Sequence, residues 1–499
     1  MKKYFLMLLV AVFTVSCSKK IDVRAKITGG SPLERIEFIE ATGAGALPLI
    51  NIGTDKSGMF TGSFEAPKNG MYMISYAGKQ GIVYLKGGQT FEFTADAANF
   101  PESIKVTGDA KNNNDFITAT QKFITNYASK VDMQTLIVKD EANFLKEAKK
   151  IKSDIEKNLD DSAKKFKTDN DLLEYKKDEL SASILGLLYQ YENNHGRITQ
   201  NPSFKVSQTY KDYVKSLDSN SDRMMKNQPL YRNYILSKLA SDYRTFTANN
   251  KPKDGDTNST IFAKFLDTRK DLSQTTKDNL LALIMEQYDI SGGIEDDKTE
   301  AKLEKLIDDK IKDSTIKTDI KKLLHVMAGP KKGELANDSG LTTQDGKSFK
   351  FSSLKGKPTM VMFYSSWVPY INQTTVPVLK EVVDFYKSKS NFVFVNLDDT
   401  KDQFIKTSNA LLKGIPGTNV YAEGGLNSKF ADQWTIYAFK LPSFIFIDKD
   451  GKVSSRFFQN LGDERLIAEF EKLTGLKAPE VAPSATLQNN LVTPEPATK

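Results

Sequence analysis

Apolar and polar residues alternate strictly over Val23, Ala25 and Ile27, and the same two-residue period returns at 60–64, 71–76, 82–85 and 91–93. Alternation puts one face of a strand on a core and the other in water. Lys86-Gly87-Gly88-Gln89 has the residues of a tight connection between two such strands. The stretch 17–109 is therefore predicted to be a small antiparallel β domain. Near Asn112 the period changes to 3.6: Phe116, Ala119, Thr120, Phe123, Ile124 and Tyr127 share one helical face, and Leu180, Ile184, Leu187, Leu188 and Tyr191 repeat it. Further helices are expected to begin near Gln228, Ser259, Thr275 and Lys298, and Gly329-Pro330 is a strong stop. The stretch 110–329 reads as an all-helical domain with solvated Lys- and Glu-rich faces and no fixed-period repeat. Beyond it, the apolar runs 360–364 and 392–397 read as buried strands. The stretch 478–499, with Pro479, Pro483, Pro494 and Pro496, has little apolar material with which to fold and is expected to be a disordered tail.

Composition narrows the chemistry. With 39% hydrophobic and 27% charged residues, the 499-residue chain has ample core-building material. Its net charge of +7 is spread without a long basic run, which argues against a nucleic-acid partner. The single cysteine, Cys17, excludes an intramolecular disulfide, a Cys-x-x-Cys pair and a multi-cysteine metal site. His195 and His325 are the only histidines, and neither lies in a His-Glu-x-x-His motif, so no metal or other cofactor is expected. Gly340 to Ser348 ends like a phosphate loop, but its glycines are one residue too far apart. Asp448-Lys449-Asp450-Gly451 begins like a calcium loop yet lacks an acidic twelfth position, and reads as a turn. Ser365, Ser366 and Tyr370 have no neighbouring base in sequence to activate an oxygen nucleophile.

The chain opens with Met1-Lys2-Lys3, an apolar run over 4–15, and Ser16-Cys17. The run is too short to span a membrane as a stable anchor. The pattern resembles a bacterial lipoprotein signal peptide, which implies removal of residues 1–16 and acylation of Cys17 behind Val15 and Ser16. Thr14 departs from the usual aliphatic residue three places before the cysteine. Several acyl chains hold a protein on a bilayer where a single one binds only marginally. Ser18-Lys19-Lys20 lacks the acidic cluster that marks surface export in some bacterial lipoproteins. The expected place is the Gram-negative outer membrane, facing the periplasm, with surface exposure as the alternative. The β-patterned stretch loosely resembles a β-rich domain of unknown function that precedes thioredoxin-like domains in many such lipoproteins.

The segment MVMFYSSWVPYINQTTVPVLK, 360–380, resembles the active-site segment of a thioredoxin-type domain. The wider resemblance, to thioredoxin-like thiol oxidoreductases of the membrane-tethered kind, covers 333–476. Gln344-Asp345-Gly346-Lys347 matches the family's hairpin turn, Leu354-Lys355-Gly356-Lys357-Pro358 the lead-in to its central strand, and 441–452 the proline loop with its strand and turn. The resemblance implies an α/β thioredoxin-like domain over 330–477, closed by a helix at 464–473. In the family an aromatic residue precedes Cys-x-x-Cys at a helix start, where the dipole stabilises a thiolate. Counted from Trp367, the two sulfur positions fall on Val368 and Ile371, around Pro369 and Tyr370; counted back from Pro377, they fall on Pro369 and Asn372. Both registers lack sulfur. The family's proline at the position of Pro442 is cis and leaves a neighbouring backbone edge free for an extended substrate. The resemblance thus assigns a groove to Trp367, Pro369, Tyr370, Leu441, Pro442 and Ser443.

Three functions compete. The first is a redox-inactive lipoprotein, not an enzyme, that binds a protein or extended peptide in this groove. The second is a thiol-disulfide oxidoreductase, against which the missing sulfurs count because thiolate attack is the chemistry itself. The third is capture of a nutrient peptide or glycan by the helical block, as an accessory to an uptake complex, for which Tyr189, Tyr191, Tyr231 and Tyr234 would have to line an open groove.

Overall fold

The computed structural model describes residues 19–478, apart from Glu295, Asp338, Ser339 and Tyr370. The readings of Cys17, the leader, Tyr370 and the stretch after Ala478 lie outside the described residues. The chain divides into two compact units, Met1–Ala328 and Gly329–Lys499.

Among its described residues the first unit has eight strands: β1 (Lys20–Thr28), β2 (Ile36–Glu40), β3 (Pro48–Ile52), β4 (Met59–Glu65), β5 (Gly70–Tyr76), β6 (Lys79–Leu85), β7 (Thr90–Asp96) and β8 (Lys105–Thr107). They form two four-stranded sheets in the orders β4-β1-β7-β8 and β3-β2-β5-β6. Every second residue of β1 is buried, as its alternation requires. Phe38 of β2 stacks on Phe64 of β4 at 5.2 Å between ring centroids, which joins the two sheets through one aromatic core. The antiparallel expectation fails at one pair, because β1 and β7 run parallel. Alternation encodes which face a residue buries and carries no information on strand direction. β2 and β3 escaped the pattern because a half-buried Glu37 and a buried Asn51 sit on them, joined at 2.7 Å.

Among the described residues eleven α-helices follow: α1 (Lys111–Ala128), α2 (Met133–Val138), α3 (Glu141–Phe166), α4 (Asn170–Ile198), α5 (Gln208–Leu217), α6 (Ser221–Asn227), α7 (Pro229–Asn249), α8 (Asn258–Thr268), α9 (Gln274–Ile284), α10 (Asp297–Lys310) and α11 (Ser314–Ala328). Strands and helices are joined by buried polar contacts. The Asn114 amide on α1 donates to Tyr84 O and accepts from Tyr84 N, both at 2.9 Å, and so satisfies backbone groups of β6, an edge strand. Arg232 of α7, itself buried, donates to Thr42 O at 2.8 Å in the loop after β2.

The second unit holds β9 (Leu341–Thr343), β10 (Ser348–Phe349), β11 (Thr359–Tyr364), α12 (Ile371–Tyr386), β12 (Asn391–Asn396), α13 (Lys401–Leu411), β13 (Thr418–Ala422), α14 (Lys429–Gln433), β14 (Ser443–Ile447) and α15 (Glu464–Thr474). One sheet runs β10-β9-β13-β12-β11-β14, with β11, β12 and β13 parallel and β14 antiparallel to β11. All six residues of β11 are buried. Val361 and Phe363 enter the core on one face of the sheet, and Met360, Met362 and Tyr364 enter that on the other, under α12 and α15. A strand covered on both faces reads as a continuous apolar run.

Candidate functional site

β11 occupies the sheet interior between β12 and β14, and its C-terminal end delivers the chain to the turn 365–369 that precedes α12. Asp398, just past β12, fastens this turn. Its Oδ1 accepts from Ser366 N at 2.7 Å and Ser366 Oγ at 2.9 Å, and its Oδ2 accepts from Asn396 Nδ2 at 2.9 Å and Thr407 Oγ1 at 2.7 Å. Sequence reading found no base near Ser366, and the fold brings this carboxylate from 32 residues away. With both oxygens already taking donors and both histidines in the first unit, the pair is a clamp on the turn rather than an activated nucleophile. Burial, with the charge of Asp398 added, pushes the Tyr364 hydroxyl far up, so it stays neutral.

Pairing of Phe363 with Ser443 sets the start of β14 beside the end of β11, which brings Leu441-Pro442 level with the turn 365–369. The Leu441–Pro442 peptide is cis, as the family resemblance implied. Trp367 is half-buried and packs on the cores of both sheet faces, as does Leu441. Pro369 is exposed and Pro442 half-buried. The two degenerate redox positions of the Trp367 register lie in the core. Val368 and Ile371 are 6% and 4% exposed and belong to the core beneath α12. The positions of the sulfurs in the Trp367 register are thus aliphatic core, whereas Pro369 and Asn372 of the other register are exposed.

Ser443 requires a correction. It was assigned to the groove, yet it is wholly buried, and its hydroxyl donates to Lys440 O. As the first residue of β14 it is enclosed by the sheet, so no ligand reaches its side chain. Tyr370 of the expected groove lies outside the described residues.

Lys440 belongs to none of the motifs in the sequence, yet it has the setting of a functional residue. Only 5% exposed, it places Nζ 3.1 Å from Thr435 O and 5.0 Å from the centroid of the Phe457 ring. Burial pushes its amine down to about 7. The available signal was its setting, a lone lysine between Phe439 and Leu441. Phe439 is 49% exposed and stacks on Tyr437 at 5.7 Å, extending the apolar surface beside Leu441 and Pro442. Among the described residues no group of three or more His, Cys, Asp or Glu is placed to hold a metal ion, and no helix is long and apolar enough to cross a membrane.

Residues 356–453 match the family described as thioredoxin-like. No curated protein matches the chain. Among solved structures, the C-terminal domain of a candidate thiol-disulfide oxidoreductase from Bacteroides thetaiotaomicron is 28% identical, covering 29% of this chain and 97% of its own, with a TM-score of 0.26. A thiol-disulfide oxidoreductase from Bacteroides fragilis is 20% identical, over 28% of this chain and 99% of its own, with a TM-score of 0.25. A secreted disulfide oxidoreductase from Mycobacterium tuberculosis is 21% identical, over 27% and 96%, with a TM-score of 0.23. The segment 356–453 is therefore a thioredoxin-like domain, in a chain whose single cysteine leaves it no Cys-x-x-Cys pair.

Proposed function

We propose that the C-terminal unit is a redox-inactive module that binds an extended segment of a partner protein or peptide, within a lipoprotein tethered to the Gram-negative cell envelope through Cys17. The observation that carries the reading is the contrast at the former redox turn. Val368 and Ile371 are aliphatic and built into the core, while Trp367, Pro369, Leu441, Pro442 and Phe439 keep an apolar surface beside it. A thiol exchange enzyme needs a thiolate that can attack and a second thiol that can resolve; the aliphatic pair can do neither. What remains suits non-covalent recognition, in which aromatic anchors contribute most of the affinity.

Uptake of a nutrient by the helical block has less support. Tyr191, Tyr231 and Tyr234 are buried, and the Tyr189 hydroxyl donates to Ser237 O at 2.7 Å, so these rings serve helix packing. The tether and its outer-membrane, periplasm-facing place rest on the basic-apolar-Ser-Cys start. Palmitate should label the wild-type chain and not Cys17→Ala; equal labelling of both would remove the anchor from the reading.

The test of binding is recovery of partners by the tagged lipoprotein from gently solubilised membranes. Trp367→Ala combined with Phe439→Ala should reduce recovery about thirtyfold or more, since losing one buried aromatic anchor often costs about 2 kcal/mol. Unchanged recovery by a variant that still melts cooperatively would reject the groove.

A further inference from the structure

The loop 41–47, between β2 and β3, leaves its sheet and packs into the helical block of the same unit. Thr42, Gly45 and Leu47 are buried there. Arg232 of α7, only 8% exposed, holds one end: it donates to Thr42 O at 2.8 Å, and also to Met225 O and Lys226 O at 2.8 and 2.5 Å. Glu286 holds the other end. It stands on the π-helical turn Met285–Ile290 that continues α9, and its Oε2 accepts from Gly45 N at 3.4 Å. Gly45 has a φ of +67°, and a Cβ at this position would lie 2.8 Å from Asp319 O and 3.1 Å from Leu323 Cβ on α11. Only glycine lets the backbone of the loop come this close.

Carboxyl groups gather on both sides of this contact. Glu40, at the end of β2, pairs with Lys68 at 2.6 Å and accepts from Thr42 Oγ1 at 3.3 Å. Asp319 faces Glu40 and Lys68 from across the contact, with Lys322 and Asp313 on its own side. Glu286 faces Arg232 as well as the loop backbone, and Arg232 in turn faces Glu40 and the Tyr175 hydroxyl of α4. Burial pushes the Glu286 carboxyl up, against the pull of the Gly45 amide, Arg232 and the Ala46 amide. Burial also pushes Asp319 up to about 6, with Glu40 and Asp313 adding to it and Lys68 and Lys322 opposing. The docked loop therefore favours the protonated form of both groups. Once the loop withdraws, water solvates the carboxylates and that preference is lost.

We propose that the loop 41–47 is an acid-closed latch between the β domain and the helical block, docked while Glu286 and Asp319 hold protons and opened more readily once both ionise. The contribution of Asp319 is fully present below its free value of 3.8 and lost as pH rises through about 6. That of Glu286 is fully present below 4.5 and fades above it. Release of the loop leaves the Asn114–Tyr84 contacts and the 3.0 Å ion pair of Lys86 with Asp169 to hold the β domain, so opening frees one side of it to move.

Hydrogen exchange of the full mature chain, read by mass spectrometry and corrected for the intrinsic rate at each pH, tests the latch. Protection of peptides spanning 43–47 should fall several-fold from about pH 4.5 to about pH 6.5. Peptides from the core of α4 should keep theirs, since the opening is local. Glu286→Gln combined with Asp319→Asn preserves the shape of both side chains and removes their titration, so protection of 43–47 should then be equal at the two pH values. Wild-type protection that does not change over this range, a double variant that falls as the wild type does, or a parallel loss in α4 would overturn the proposal.

Discussion

Replacing Lys440 by Met isolates the cost of burying an amine next to the proline loop. Methionine keeps most of the stem volume and removes the charge, together with the 3.1 Å hydrogen bond to Thr435 O. The amine titrates near 7 in the fold against 10.5 when free. Each pH unit of such a difference is 1.36 kcal/mol, so burying the charged form costs about 5 kcal/mol at most. The sign follows from proton counting. Below about pH 7 folded and unfolded chains both hold the proton, and the cost is fully present. Between about 7 and 10.5 only the unfolded chain holds it, so stability rises with pH. From pH 6 to pH 9 the wild type should gain about 2–3 kcal/mol that Lys440→Met does not. At pH 6 the variant should be more stable by about 2–4 kcal/mol, after about 1 kcal/mol is deducted for the lost hydrogen bond. Urea unfolding followed by tryptophan emission reports this unit alone, because Trp367 and Trp434 are the only tryptophans and both lie in Gly329–Lys499. A wild-type-to-variant difference that is the same at pH 6 and pH 9, or a variant less stable at pH 6, would refute the reasoning.

Other consequences can be checked in the same protein. Asp398→Ala strands the donors of Ser366, Asn396 and Thr407 and should destabilise the C-terminal unit by about 2–4 kcal/mol in the same urea assay, while an effect below about 0.5 kcal/mol would mean the turn is held otherwise. Asp319 on α11 is pushed up to about 6 by burial, with the neighbouring Glu40 adding to it and Lys68 and Lys322 opposing. Its contribution to stability is present below the free value of 3.8 and lost as pH rises through about 6. Asp319→Asn should therefore flatten part of the decline in helical circular dichroism stability between about pH 4 and 6.5, by no more than about 1 kcal/mol because the group is half-exposed; an unchanged slope would contradict the burial argument. In a Cys17→Ser background, Val368→Cys with Ile371→Cys should form a reducible pair shielded from exposed thiol reagents, whereas faster and fuller pairing of Pro369→Cys with Asn372→Cys would move the register by one residue.

Much of this architecture is local and so was legible in the chain itself. The alternation at Val23, Ala25 and Ile27, the 3.6-residue period from Phe116 to Tyr127 and the continuous apolar run of β11 each state how many faces of an element are buried, and the structure obeys them. The absence of a redox pair needed only a count of cysteines. Direction, partnership and depth were decided by tertiary structure. The parallel pairing of β1 with β7 joins residues about seventy positions apart, which no local period encodes. Ser443 sits in a motif position expected to line a groove, but its pairing with Phe363 at the start of β14 puts it inside. Asp398 became the clamp on Ser366, and Lys440 a buried amine, only when the sheet brought β12 and β14 to either side of β11. Periodicity records the environment of one element, whereas a site is a meeting of several, and the energies that set its chemistry, desolvation and hydrogen bonding to distant groups, exist only after they have met.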